Sequence, residues 1–128
     1  MGFIQGLLGN AGVVDSEVLT SEYGILLTEG EKIEIGFKVF RDVFIFTNKR
    51  LILVDKQGMT GKKKEYFTIL YKSITRFSIE TAGTFDLDAE LKIWVSSAIE
   101  PTIEKKFNKK VNIYDVQKVL AQHLLQDD

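Results

Sequence analysis

Apolar and polar residues alternate through the middle of this chain and take helical spacing at its two ends. From Lys32 the period is two: Ile33, Ile35, Phe37 and Val39 alternate with Lys32, Glu34, Gly36 and Lys38. That is the pattern of a half-buried strand. Further strands are expected over 42–47 (DVFIFT, less clearly alternating), 50–55 (RLILVD), 63–71 and 74–80. Asn48-Lys49 makes a tight turn, because Asn tolerates positive φ. The loop over 56–62 carries Gly58 and Gly61, and a turn is expected around Ala82-Gly83. Over 88–96, Ala89, Leu91, Ile93 and Val95 share one face, with Glu90, Lys92, Trp94 and Ser96 on the other. The only proline, Pro101, opens a weaker seventh strand through Phe107, a place where a strand accepts proline.

The two ends change period. Residues 1–31 read as a helical arm: Phe3, Ile4, Leu7 and Leu8 fall on one face of a short helix that Gly9-Asn10 ends. A second helix begins near Asp15-Ser16, where either residue can cap it and Glu17 suits its first turn. Thr28 to Glu31 is a polar turn. At the other end, Asn112 caps a helix over 112–126, and Asp115 completes an approximate capping box. Ile113, Val116, Leu120 and Leu124 line its apolar stripe, with Val119 beside it.

Seven short strands in succession, with no helix between them, imply antiparallel neighbours in a sandwich or barrel. The final helix must bury its stripe on the open end or edge of that barrel. At 128 residues the chain is one domain, the arm included, with the barrel and its closing helix over 32–128.

Composition removes several classes of chemistry. There is no cysteine, which excludes disulfides and thiolate chemistry and fits a reducing compartment. No apolar run is long enough to span a bilayer. The first basic residue is Lys32, so no signal peptide is read and a cytoplasmic location is expected. Gly6 stands where a myristoylation motif wants Ser or Thr. The net charge is −1 but unevenly spread: residues 1–31 hold five acids and no base, and the remainder holds 17 bases against 13 acids. The near-neutral total argues against nucleic acid as a partner.

His123 is the only histidine, so no histidine-pair metal site exists, and its place in the last helical turn favours a structural role. Asp86-Leu87-Asp88-Ala89-Glu90 starts like a calcium loop, but Leu91 occupies the position that needs glycine; a turn into a strand is the better reading. Gly58 to Lys62 has the wrong glycine spacing for a phosphate loop and leads into a strand. Lysines gather at 56 and 62–64 and again at 105–106 and 109–110. They suit an anionic partner or acidic lipid, or simply keep strand edges soluble. Trp94 faces away from Leu91 and Ile93. It is either a contact anchor or is covered by another part of the chain. The arm lacks the Lys or Arg usual on interfacial helices; its apolar face suits packing on the barrel of the same chain or of a neighbour.

Three segments, Phe46–Gly58 (FTNKRLILVDKQG), Gly61–Lys63 (GKK) and Thr84–Val95 (TFDLDAELKIWV), resemble the bacterial pleckstrin-homology-like (PH-like) domains of stand-alone type. The TNKRL turn is the most recognisable piece, and the resemblance covers nearly the whole chain. It implies a mostly-β, PH-like barrel of seven antiparallel strands in two near-orthogonal sheets, capped by the C-terminal helix. It also implies a non-enzymatic module that binds lipids, peptides or proteins and self-associates. Phosphoinositide binding is not implied: the basic-x-basic triplet of eukaryotic binders is absent where Lys38, Arg41 and Asp42 stand.

The expectation is therefore a binding or assembly module acting as a homo-oligomer, with no catalytic residue, metal or cofactor. A peripheral membrane domain using its lysines is the alternative. A protein or peptide partner fits either. An anion-binding patch is expected at Lys49, Arg50, Lys62, Lys63 and Lys64, and interface contacts at Trp94, Phe3, Ile4, Leu7 and Leu8.

Overall fold

A computed structural model of the chain describes residues 2–81 and 89–126. The turn expected at Ala82-Gly83 and the Asp86 to Asp88 part of the calcium-like segment lie outside the described residues. The chain opens with α1 (Gly2–Gln5), a two-residue strand β1 (Val13–Val14) and α2 (Ser16–Tyr23). Seven strands follow: β2 (Ile33–Val39), β3 (Asp42–Thr47), β4 (Arg50–Gln57), β5 (Lys63–Leu70), β6 (Ile74–Glu80), β7 (Ala89–Val95) and β8 (Ile103–Phe107). The helix α3 (Ile113–Leu124) closes the order. All neighbours are antiparallel, in a five-stranded sheet β1-β2-β3-β4-β5 and a three-stranded sheet β6-β7-β8.

Each strand sits where alternation or an apolar run puts it, with shifted ends: β4 runs on to Gln57, through the first two residues of the expected loop. β8 begins at Ile103, past Pro101, and Tyr71 leaves β5 for a 3-10 turn. β1 is a correction, because two residues are too few to show a period. Val13 and Val14 pair with Phe37 and Gly36, and the Lys38 N–H donates to Gly12 O at 2.8 Å. Gly12 has φ +81, and a Cβ there would run into Val111. Only glycine meets both conditions.

The core has two parts. The larger lies between the sheets and takes Ile35, Phe37, Phe44, Phe46, Leu51, Leu53, Leu91, Ile93 and Phe107, closed by Val116, Val119 and Leu120 of α3. Asn112 caps α3, its Oδ1 accepting from the Tyr114 N–H at 3.0 Å. The smaller core lies on the outer face of the larger sheet, where Leu19 and Tyr23 of α2 cover Ile33, Val43, Ile45, Ile52 and Val54. β3 and β4 are thus buried on both faces, which is why DVFIFT shows no clean alternation. β2 departs from the expected single face. A bulge between Ile33 and Ile35 turns Ile33 to the outer core while Ile35, Phe37 and Val39 face inward, since one extra residue inverts the parity of a strand.

Candidate functional site

β2 to β5 are consecutive antiparallel strands, so the β2–β3 turn at Phe40-Arg41 and the β4–β5 loop at 58–62 stand at the same end of the sheet. Arg41 Nη1 donates to Gly58 O at 2.7 Å and ties the two together. Between them lies an open cleft of about 610 Å³, lined by Arg41, Lys56, Met59, Thr60, Gly61, Lys62 and Lys64. Four of these seven side chains are cationic and none is a carboxylate. Lys56 and Lys64 are direct cross-strand partners, an arrangement of like charges that costs stability unless an anion offsets it.

Two nearby carboxylates, Asp42 and Glu22, already have partners. Asp42 accepts the Lys56 backbone N–H at 2.8 Å and lies 3.5 Å from Lys105 Nζ. Lys64 Nζ lies 3.6 Å from Glu22 and 5.6 Å from the centre of the Tyr23 ring, so α2 reaches one wall of the cleft. Burial, followed by the Glu22 charge, pushes the Tyr23 hydroxyl up to about 12.

The expected anion patch is divided by this geometry. Lys62 and Lys64 line the cleft, and Lys63 is exposed just beside it. Lys49 and Arg50 sit at the opposite end of β4, about 20 Å away for a strand of this length, and are committed elsewhere. Lys49 Nζ donates to Glu29 O at 3.2 Å. Arg50 grips Glu31 with Nε at 2.8 Å and Nη2 at 3.1 Å, and also donates to Leu26 O and Thr68 Oγ1. Glu31 further accepts from the Thr28 N–H and from Thr47 Oγ1. Burial opposes ionisation of Glu31, but these donors and the Arg50 charge prevail and hold its carboxyl at about 2. Arg50 is thereby a structural cation.

Beside this cluster, Tyr71 donates to Thr47 O at 2.7 Å and stacks on the His123 ring at 4.1 Å. Burial, then the charges of Glu34 and Glu31, push the Tyr71 hydroxyl well above its ordinary range. His123 Nε2 lies 2.8 Å from Glu34 Oε1, pinning the end of α3 to β2. The structural role expected of the lone histidine thus has named partners that sequence spacing did not disclose.

Of the expected interface residues, Leu7 is buried in the main core with Phe3 and Ile4 packed against it. Leu8 is 41% exposed, so the four do not share one face. The helix ends at Gln5 and the turn that follows sends Leu8 outward. Trp94 is half-buried on the outer face of the smaller sheet. The Arg76 guanidinium lies 4.7 Å over its ring, and its Nε1 donates to Ile99 O at 3.1 Å.

Sequence reasoning passed over Arg41 and Met59 in the lining of this cleft, and over Phe40, exposed in the β2–β3 turn. The available signal was an apolar residue standing alone within each turn segment. Among the described residues no three His, Asp or Glu side chains converge as a metal ion would need, and no helix is long and apolar enough to cross a membrane.

Comparison with known proteins supplies the family. The bacterial PH domain family matches residues 2–124. The uncharacterized protein YjqA of Bacillus subtilis (strain 168) is 60% identical over 121 residues, covering 94% of this chain and 97% of that protein. A pleckstrin homology domain from Shewanella amazonensis SB2B is 46% identical with a TM-score of 0.82, over 98% of this chain and 100% of that one. A DUF1696 family protein with a pleckstrin-homology domain from Shewanella loihica PV-4 is 46% identical with a TM-score of 0.77, over 91% and 98%. Two antiparallel sheets, the α3 plug and a match over nearly the whole length lead to one conclusion: the chain belongs to the bacterial PH domain family.

Proposed function

We propose that this protein is a non-enzymatic PH-like binding module that takes an anionic group in the cleft between its β2–β3 and β4–β5 hairpins. The observation that carries the reading is the convergence of Arg41, Lys56, Lys62 and Lys64 from two hairpins on one open cleft. Lys56 and Lys64 lie directly opposite each other; Glu22 meets Lys64 at 3.6 Å, and a bound anion would relieve the repulsion that remains. A phosphate or carboxylate would accept charge-assisted hydrogen bonds from them. Catalysis has no comparable support. Of the shifted groups, Glu31 and Tyr71 belong to the closed network at the other end of the sheet, where each has a structural partner, and Tyr23, beside the cleft, is shifted first of all by its burial.

Titration with glycerol 1-phosphate, followed by backbone amide shifts, tests this reading. Shifts should cluster at 40–42 and 56–64 and weaken as salt is raised. Lys56→Gln/Lys62→Gln should lower affinity about tenfold or more, while Lys109→Gln/Lys110→Gln leaves it unchanged. Equal weakening by both pairs would reduce the effect to general charge and defeat the cleft reading.

A second reading, self-association, rests on a different face. α2 covers the outer side of the larger sheet, whereas no described helix covers the outer side of the smaller one, where Trp94 and Arg76 stack. The two readings are compatible, since the faces are separate.

A further inference from the structure

We infer that the open edge of β5 takes a strand from a basic partner protein: a short segment in which apolar residues alternate with Lys or Arg, paired along Tyr66 to Leu70. The site lies on the half of β5 away from the cleft and needs no anion there.

Among the described residues, four strands stand at the edges of the two sheets: β1, β5, β6 and β8. An open edge offers unpaired backbone groups to any passing strand, and proteins blunt it by brevity or charge. β1 is two residues long. β6 carries Arg76 and Glu80, and β8 carries Glu104, Lys105 and Lys106. β5 is guarded only in its first half, by Lys63, Lys64 and Glu65. Its second half, Tyr66-Phe67-Thr68-Ile69-Leu70, has no charge and no proline, and its pairing with β4 runs without a bulge. Aromatic and β-branched residues favour strand pairing, so this half is a template left open.

The flank of α2 indicates what fits it. α2 meets β5 where Glu22 lies 3.6 Å from Lys64 and Tyr23 packs edge-on against Tyr66. Val18 precedes Glu22 by one helical turn and shares its side of α2. Ile25, in the 3-10 turn Gly24–Leu26 that follows, is 93% exposed. Arg50 bridges this turn to β5, donating to both Leu26 O and Thr68 Oγ1. Tyr66 and Leu70 share the face of Thr68. Val18, Ile25, Tyr66 and Leu70, all exposed, thus lie on the outer side of the larger sheet, along the unguarded edge.

The chain from Asp15 to Glu31 holds five acids and no base. Apolar groups beside carboxylates suit Lys or Arg, whose stems lie on apolar surface while their cationic heads reach the acids. Strand addition gains affinity from main-chain hydrogen bonds and selects by alternate side chains. Period two follows: Lys or Arg on the α2 side, apolar residues on the other, against the half-buried Phe67. No stretch of this chain alternates Lys or Arg with apolar residues over five positions, so a foreign chain fits the edge better than a second copy.

Selection from a displayed library of random heptapeptides on the immobilised protein tests this. Enriched sequences should alternate Lys or Arg with apolar residues. The tightest of them, added in solution, should slow amide exchange within 66–70, the sign of new main-chain pairing. Ile25→Lys/Leu70→Lys places the usual guard at the edge and should keep the wild-type circular dichroism, since both side chains are exposed. It should lose affinity for that peptide by about tenfold or more, whereas Lys56→Gln/Lys62→Gln in the cleft should not weaken it. No enrichment, acidic or unpatterned sequences, protection confined to residues outside 66–70, or equal affinity in wild type and Ile25→Lys/Leu70→Lys would each overturn the inference. So would a wild-type oligomer whose mass in light scattering falls in Ile25→Lys/Leu70→Lys, because the edge then belongs to a second copy.

Discussion

Glu31 shows how much a single side chain is held by its surroundings. It is buried, and it accepts from Arg50, Thr47 and the Thr28 backbone, so one carboxylate joins the linker after α2 to the β3–β4 hairpin. Glu31→Gln would leave the Arg50 guanidinium without its counter-charge, and a loss of about 3 kcal/mol of stability is expected in urea unfolding. The pH dependence follows from the depressed carboxyl, at about 2 against an ordinary 4.5. Its stabilisation is complete above 4.5 and is lost as pH falls toward 2. The gap between wild type and Glu31→Gln should therefore narrow on acidification. A gap constant across that window would show that charge is not what Glu31 contributes. None of this was legible in the sequence, where Glu31 was one acid in a polar turn and Arg50 a candidate for an external anion. Partners 19 residues apart leave no local pattern.

Elements tell a more even story. The period-two segments and the final helix were legible because burial on one face writes a repeat into the sequence. β1 and the reversal of Ile33 were not, because a two-residue strand and a bulge have no repeat to write. The arm falls between these cases: its apolar content was visible, but its occupancy was not. In the structure Leu7 enters the core of its own chain and β1 adds to the sheet. Removing residues 1–14 should cost about 2 to 4 kcal/mol, from the lost burial of Leu7 and its neighbours and the lost pairing, and lower the melting temperature by about 10 °C. The number of subunits in solution should not change. An unaltered melting point would show that the arm does not hold the fold. A changed subunit count would place its apolar face on a neighbouring chain.

At the scale of the whole molecule, charge and apolar surface are sorted onto separate faces. The acidic helix α2 lies on the outer side of the larger sheet, the cleft cations gather at the hairpin end, and Trp94 with Arg76 occupies the outer side of the smaller sheet. Self-association through that last face makes a definite prediction in light scattering. The wild type should have a mass that is a multiple of the 14.5 kDa chain, and Trp94→Ala should reduce it toward one chain, as loss of a central aromatic anchor does. A wild-type mass of one chain would remove self-association and leave the hairpin cleft as the functional surface. The same experiment in high salt separates the two faces, because screening weakens the cleft but not an aromatic contact.

The sequence by itself determined the class of fold, the seven main strands, the capped final helix and the family, because each is set by local periodicity, turn residues or contiguous motifs. It also placed lysines at the β4–β5 hairpin. Only the tertiary structure decided which cations act together. Lys62 and Lys64 meet Arg41 and Lys56 because antiparallel pairing brings both turns to one end. Lys49 and Arg50, next to the most recognisable motif, are carried to the other end and neutralised or bonded there. Proximity in sequence specifies a turn; proximity in space depends on strand register and sheet order, which no single segment encodes.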